Sequence, residues 1–253
     1  MGAVDEIIKK ALKRADVLLS VISHRQTNID VMSDCMSLFS SKKHHYTWMP
    51  LVNEADISRA RSRVATHFLN NTTEDVLMFI DDDIRFKQED VTKIMDHVVD
   101  GKLICGAMYV QKGTTDKTAV MEEGEAVLFH KDEKEPKKMM CLPNGFLAIH
   151  RKVFEAVLTL KRPEGDPIVP FCNEGAPWAF YPFFDSQPMK LDGKWRFIPE
   201  DWSFCLRARE AGFQTWVDPS IMLSHLGEYE YDFRDKIRPP KVSWEEFKGV
   251  AYN

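Results

Sequence analysis

Three nearly continuous apolar runs constrain this chain most: DVLLSVIS at 16–23, VLMFI at 76–80 and LICGAMYV at 103–110. Runs without polar alternation have no face to show to water, so they read as strands covered on both sides, as in a largely parallel sheet. The segments between them carry the helical period, with Ile57, Ala60, Val64, Ala65 and Phe68 before the second run and Val91, Ile94, Met95 and Val98 before the third. Helix and strand thus alternate over the first 110 residues. That pattern predicts an α/β fold, with helices flanking a central, mostly parallel sheet.

The remaining elements follow from the same periods. Val4 to Ala15 predicts an amphipathic first helix ending near Arg14, and Ile29, Met32, Cys35, Met36 and Phe39 define the inward stripe of the next. His45–Val52 reads as a second strand, Gly101 as the close of the helix before the third apolar run, and Glu200–Ala211 as a helix stopped by Gly212. The mixed-charge stretch 131–138 reads as a solvated hairpin or loop, and the Pro-, Gly- and aromatic-rich stretch 163–194 as a long irregular insertion of the kind that serves binding.

Composition narrows the function classes. A chain of 253 residues that is 44% hydrophobic can bury a sizeable core in one domain without metal or disulfide staples. The formal net charge of −5 leaves no global basic field for nucleic acid or an anionic membrane. Five widely spaced cysteines with no C-x-x-C pair fit a reducing compartment, and Val17–Ile22 is too short for a membrane span, so a cytoplasmic location is expected.

The chemistry concentrates in FIDDDIRF, where a buried strand delivers Asp81, Asp82 and Asp83 to its carboxyl end, the edge at which open α/β sheets bind ligands. In an extended chain Asp81 and Asp83 would face one side and could share a hard cation, Mg²⁺ or Mn²⁺, with a substrate phosphate. Aspartates are equally common in a plain turn after a strand. Glu200 and Asp201 open a predicted helix, as N-terminal charges or as a general base. His225, just past the apolar residues 221–223, is a structural histidine or a further metal ligand. Arg61 falls within an apolar stripe and needs a partner, either a ligand or an aspartate. Asn144-Gly145 makes a turn, or lets backbone approach a substrate. Trp178, Tyr181 and Trp202 are candidates for stacking on a sugar or base, or for packing the insertion. Phosphate-loop, dinucleotide, zinc-helix and nucleophile-elbow signatures are all absent from the sequence.

Taken in order, SHR (23–25), ARSR (60–63), VLMFIDDDI, CGAMYVQK (105–112), NGFLAIHRKVFE (144–155), PEDWSFCLRAREAGF and SHLG (224–227) resemble the GT-A glycosyltransferases, especially the compact family-2-like enzymes of bacteria, phages and large viruses. The resemblance implies a single GT-A domain, with a nucleotide-sugar and metal half at 1–112, an acceptor and catalytic half at 113–235 and a tail at 236–253. It implies transfer of a hexose or pentose from a UDP- or GDP-sugar, with Mn²⁺ or Mg²⁺ as cofactor. Asp81 and Asp83 match the family's D-x-D, with Asp83 the direct metal ligand, and His225 matches its late histidine. Ser23, Arg25, Arg61 and Asp82 fall to the nucleotide pocket and Gly145 to the turn beside the donor sugar. Asp201, with Glu200 as substitute, matches the base of inverting members. The acceptor is expected to be a glycan. A hydroxymethylated DNA base is the lesser option, with Lys42, Lys43, His44 and His45, or Lys9, Lys10, Lys13 and Arg14, as its basic patch. A metal-dependent nucleotidyltransferase or pyrophosphatase and a non-catalytic sugar-nucleotide binder are the competing classes. Oligomeric state is left open.

Overall fold

The computed structural model describes residues 14–24, 27–110, 112, 121–122, 125–126, 134–161, 165–172, 178–191, 193–227 and 230–231. The expected first helix up to residue 13, Arg25 and the tail 236–253 lie outside them.

In chain order the elements are β1 (Asp16–Ser23), α1 (Ile29–Leu38), β2 (His45–Trp48), β3 (Leu51–Val52), α2 (Ile57–Asn71), β4 (Val76–Asp81), β5 (Ile84–Arg85), α3 (Gln88–Val99) and β6 (Ile104–Met108). There follow β7 (Met121–Glu122), β8 (Glu125–Ala126), β9 (Lys137–Met139), β10 (Phe146–His150), α4 (Arg151–Val157), β11 (Phe171–Cys172) and β12 (Ala179–Phe180). Last come β13 (Gln187–Leu191), β14 (Lys194–Ile198), α5 (Glu200–Glu210), β15 (Thr215–Met222), β16 (Ser224–Leu226) and β17 (Glu230–Tyr231).

The main sheet runs β2-β1-β4-β10-β6-β15-β9, with β3 also on β1. Pairings of β1 with β2, β3 and β4 and of β6 with β15 are parallel, whereas β10 is antiparallel to both its neighbours and β9 to β15. The expected mixed, mostly parallel sheet is therefore present. Strand alternation sorts its side chains into two cores. Leu18, Ile22, Leu77 and Phe79 join α2, α4 and α5, while Val17, Leu19, Val21, Met78 and Ile80 join α1 and α3. Both faces are covered, which is why β1 and β4 read as unbroken apolar runs. Phe154 lies at the centre of the first core, in ring contact with Phe68, Phe183, Phe184 and Phe204.

Several expectations are corrected. On α1 the buried stripe is Val31, Cys35 and Leu38, while Ile29, Met36 and Phe39 are exposed. Arg85 on β5 donates from Nε to Asp34 Oδ2 at 2.5 Å, an ion pair that sets the rotation of the helix. The strand expected at 45–52 breaks at Met49-Pro50 into β2 and β3, since proline cannot donate to a ladder. The charged stretch 131–138 ends in β9, an edge strand whose lysines suit an exposed position. The stretch 163–194 contains the β11–β12 pair and β13, which pairs with β14 just beyond it, and is not wholly irregular.

Phe154→Ala is expected to cost about 3–5 kcal/mol, because the surrounding rings cannot collapse into the space. Urea unfolding followed by far-UV circular dichroism measures it, and a loss below 1 kcal/mol would mean the aromatic cluster is looser than it is drawn.

Candidate active site

Topology assembles the site before any side chain is considered. Since β1, β4, β6 and β15 run the same way, their carboxyl ends share one edge of the sheet, and the antiparallel β10 begins there. Ser23, Asp81, Tyr109 and Gly145 meet at this edge, with the Asp81 N–H donating to the Gly145 carbonyl at 2.9 Å. His225 arrives by a separate route. Just past β15 the chain forms β16, which pairs antiparallel with β5 so that His225 lies opposite Ile84, and the Leu226 N–H donates to the Asp83 carbonyl at 2.7 Å.

Asp81 falls on the same face of β4 as Leu77 and Phe79, the face covered by α2, and there it meets Arg61. Arg61 is only 4% exposed. Its Nη2 donates to Asp81 Oδ1 at 2.7 Å and its Nη1 to Glu200 Oε1 at 2.5 Å. Burial works against the guanidinium's charge, but the two carboxylates outweigh it and keep it protonated. The partner that an arginine in an apolar stripe requires is thus a pair of acids, from β4 and from the first turn of α5.

That bridge separates the roles of Glu200 and Asp201. Glu200 is committed to Arg61. Asp201 lies largely buried beside it, and desolvation together with the Glu200 charge pushes its carboxyl up to about 7, with Arg61 partly offsetting. A carboxylate poised near neutrality can take a proton from a hydroxyl and release it again.

The three aspartates do not act as one group. β4 ends at Asp81 and the chain turns through Asp82 and Asp83, so strand alternation does not carry Asp83 to the side of Asp81. Asp82 faces Ser23, and burial raises its pKa, helped by the neighbouring charges of Asp83 and Asp81. The Ser23 hydroxyl is buried without a hydrogen-bond partner among the described residues. Asp83 lies 3.4 Å from His225 Nε2 and 2.5 Å from Lys112 Nζ through Oδ2. Burial would raise its pKa, but these two partners outweigh that and hold it low.

His225 is oriented as a ligand would be. Its Nδ1 lies 2.9 Å from the Val110 carbonyl, which can only accept, so Nδ1 carries a hydrogen and Nε2 is left to face Asp83, either donating a hydrogen to the carboxylate or offering a lone pair to a cation. A lone pair facing a carboxylate oxygen at 3.4 Å needs a proton or a cation between them. A carboxylate oxygen suits either Mn²⁺ or Mg²⁺, and an imidazole beside it favours Mn²⁺, the softer of the two. No group of three His, Cys, Asp or Glu among the described residues is placed to hold a metal. The expected trio therefore resolves into an Asp83–His225 pair and an arginine-bound Asp81.

Tyr109 is the residue that the sequence reading passed over. The Gly145 N–H donates to its hydroxyl at 3.2 Å, and its ring packs edge-on to His225 with centroids 5.1 Å apart. Burial and the charges of Asp81 and Asp201 push the phenol well up despite Arg61, so it stays protonated. The available signal was position, just past an apolar strand at the ligand-binding edge. Asn144 is buried with neither side-chain polar atom partnered among the described residues. At Gly145 a Cβ would overlap the Tyr109 hydroxyl and lie 2.8 Å from Asp81 Oδ2.

Other candidates lie elsewhere. The Arg63 guanidinium stacks 4.0 Å over Trp178, beside a cavity of about 240 Å³ whose lining includes His67, Asn70 and Phe180 but none of the site carboxylates. Tyr181 packs on Phe183, and Trp202 is partly buried against the first core. Of the first candidate basic patch, His44 is buried, accepting the Ala15 N–H at 3.1 Å, and Lys43 pairs with Asp96 at 2.5 Å, while Lys9, Lys10 and Lys13 of the second lie outside the described residues.

Residues 56–158, from the cap of α2 through α4, match the family model for glycosyl transferase family 2. No curated protein matches the chain. Among solved structures, A197 from STIV aligns with a TM-score of 0.52 at 16% identity, over 84% of this chain and 86% of that one. GalNAc-T7 with UDP, GalNAc and Mn2+ aligns with a TM-score of 0.52 at 12% identity, over 92% of this chain but only 50% of GalNAc-T7. This chain thus spans half of the GalNAc-T7 structure. At these identities the likeness shows the fold. No helix among the described residues is long and apolar enough to cross a membrane.

Two substitutions test the site as drawn. Arg61→Ala leaves Asp81 and Glu200 unpaired and is expected to cost about 3 kcal/mol in urea unfolding; a loss under 1 kcal/mol would show that the bridge does not hold α2, β4 and α5 together. Gly145→Ala is expected to destabilise by about 1–3 kcal/mol through overpacking, seen as a lowered Tm. An unchanged Tm would mean Tyr109 and Asp81 can retreat.

Proposed function

We propose that this chain, which has the GT-A fold and carries a family 2 glycosyl transferase region over residues 56–158, transfers a sugar from a nucleoside-diphosphate donor to a saccharide hydroxyl with inversion, Asp201 serving as base. The observation that carries this reading is the part-buried Asp201 at the start of α5, next to the Glu200 that Arg61 ties to Asp81, with its carboxyl pushed up to about 7.

The donor nucleotide is assigned to the end of β1, where the buried Ser23 hydroxyl and the Asp82 carboxylate it faces can bind it, and its sugar to the Gly145 turn. The missing Cβ there lets Tyr109 and Asp81 close on the turn and fix its backbone at the edge. Asp83 and His225 would hold a divalent ion, which supplies Lewis-acid neutralisation of the departing diphosphate. The acceptor oxygen attacks the anomeric carbon as the bond to the diphosphate oxygen breaks. Its proton passes to Asp201, and the negative charge leaves on the nucleoside diphosphate. Arg61 fixes Glu200 beside Asp201, and the Glu200 charge keeps the base from being too weak.

A panel of UDP- and GDP-sugars with Mn²⁺ or Mg²⁺ tests the reading. Release of nucleoside diphosphate supports it, and release of pyrophosphate instead overturns it in favour of a nucleotidyltransferase. Proton NMR of the first-formed product should show inverted configuration, and retention would remove Asp201 from the role of base.

Asp201→Asn is expected to lower kcat by about 10²- to 10⁴-fold while nucleotide binding persists. Wild-type kcat/KM should rise about tenfold per pH unit below about 7 and level off above it, because only the ionised base works. Stability moves the other way. The folded carboxyl binds its proton more tightly than the unfolded one, so its favourable contribution is complete below pH about 4 and is lost as pH rises through about 7. Relative to wild type, Asp201→Asn should therefore melt higher at pH 8 than at pH 5. A Tm difference independent of pH would contradict the raised pKa.

A further inference from the structure

β13 and β14 form a hairpin that pairs with no other strand among the described residues. Residues directly opposed in an antiparallel pair share a face. The register sets Pro188 opposite Phe197 and Lys190 opposite Trp195, so positions 188, 190, 195 and 197 make one face, while Gln187, Arg196 and Ile198 belong to the other. Trp195 and Phe197 are each 73% exposed. Single exposed apolar residues are ordinary, but two aromatics spaced by two on one face, with a proline across from them, form a flat apolar surface.

The hairpin is tied to the catalytic helix. Ile198 is buried, and Gln187 Nε2 donates to Ser203 Oγ on α5 at 3.3 Å. β14 runs through Pro199 directly into Glu200 and Asp201. Chain geometry therefore keeps the Phe197 Cα within about 14 Å, and the Trp195 Cα within about 22 Å, of the Asp201 Cα.

We infer that Trp195 and Phe197 form the acceptor platform, on which the C–H faces of saccharide rings stack while a terminal hydroxyl extends to Asp201. A sugar ring is apolar on its C–H faces and polar at its rim, so a flat aromatic surface can hold the first and leave the second to water and the base. A lipid or nucleic-acid phosphate would call for cations on the same face. Lys194 and Arg196 instead occupy positions on the opposite face, which leaves position 190 as the one lysine on the aromatic face, too few cations to hold a phosphate surface. The inference relies on the transferase reading for the role of Asp201, whereas ring binding can be measured without turnover.

The test is a glycan array probed with the full chain, with and without UDP, GDP and Mn²⁺, comparing wild type with the double variant Trp195→Ala/Phe197→Ala and the conservative Trp195→Tyr/Phe197→Tyr. Circular dichroism and Tm report folding of each. Wild type is expected to bind saccharides, the alanine pair to bind them at least about tenfold more weakly, and the tyrosine pair to recover most of the loss. Equal binding by wild type and the alanine pair would overturn the platform, as would an array on which wild type binds nothing. Binding to phosphatidylglycerol vesicles that the alanine pair loses, without saccharide binding, would replace the sugar with a membrane. Failure to turn over any nucleotide sugar would sink the transferase reading and leave the array result standing.

Discussion

Arg61 is buried between two acids that lie 119 residues apart in the chain, Asp81 at the end of β4 and Glu200 at the start of α5. Any one of the three charges left alone there would be costly, so the bridge forces α2, β4 and α5 into a single arrangement. Nearly everything else at the site follows from that closure. Asp81 is turned toward α2, Glu200 is paired with Arg61, and Asp201 is left beside the Glu200 charge in a poorly solvated position. The buried arginine thus acts as the support on which the other acids are tuned.

The site divides its carboxylates by environment. Asp83 is held low by His225 and Lys112 against its own burial, and Asp201 is pushed to about 7 by burial and by Glu200. One remains an anion suited to a cation, and the other can exchange a proton near neutral pH. Two acids of the same chemistry are thereby separated into two tasks, as acid–base sites require. Tyr109 joins these halves, with its hydroxyl on the Gly145 amide and its ring against His225.

Much of this was legible in the sequence wherever the signal was local. The apolar runs of β1 and β4 read as strands buried on both faces because they are, and the edge at which a ligand would bind followed from the aspartates at the end of one of them. Asp201 at a helix start and Gly145 before a strand were visible for the same reason. The rotation of α1 was not. Two apolar stripes compete on that helix, and the choice between them is made by Asp34 reaching Arg85 on a distant strand. Tyr109 escaped notice because an aromatic after a strand looks like core until its neighbours are known. Asp81 and Asp83 were expected on one side from an extended chain, and the turn at Asp82–Asp83 undid that alternation while β16 brought His225 to Asp83.

Periodicity, apolar runs and charge placement act over a few residues, so the sequence by itself determined the α/β class, the strand that ends in aspartates and the helix that begins with Glu200-Asp201. Which of those acids would be paired, and which left to titrate near neutrality, was decided only when the tertiary structure brought Arg61 between Asp81 and Glu200 and β16 against β5. Desolvation and ion pairing depend on what surrounds a group in space, and residues far apart in the chain supply those surroundings.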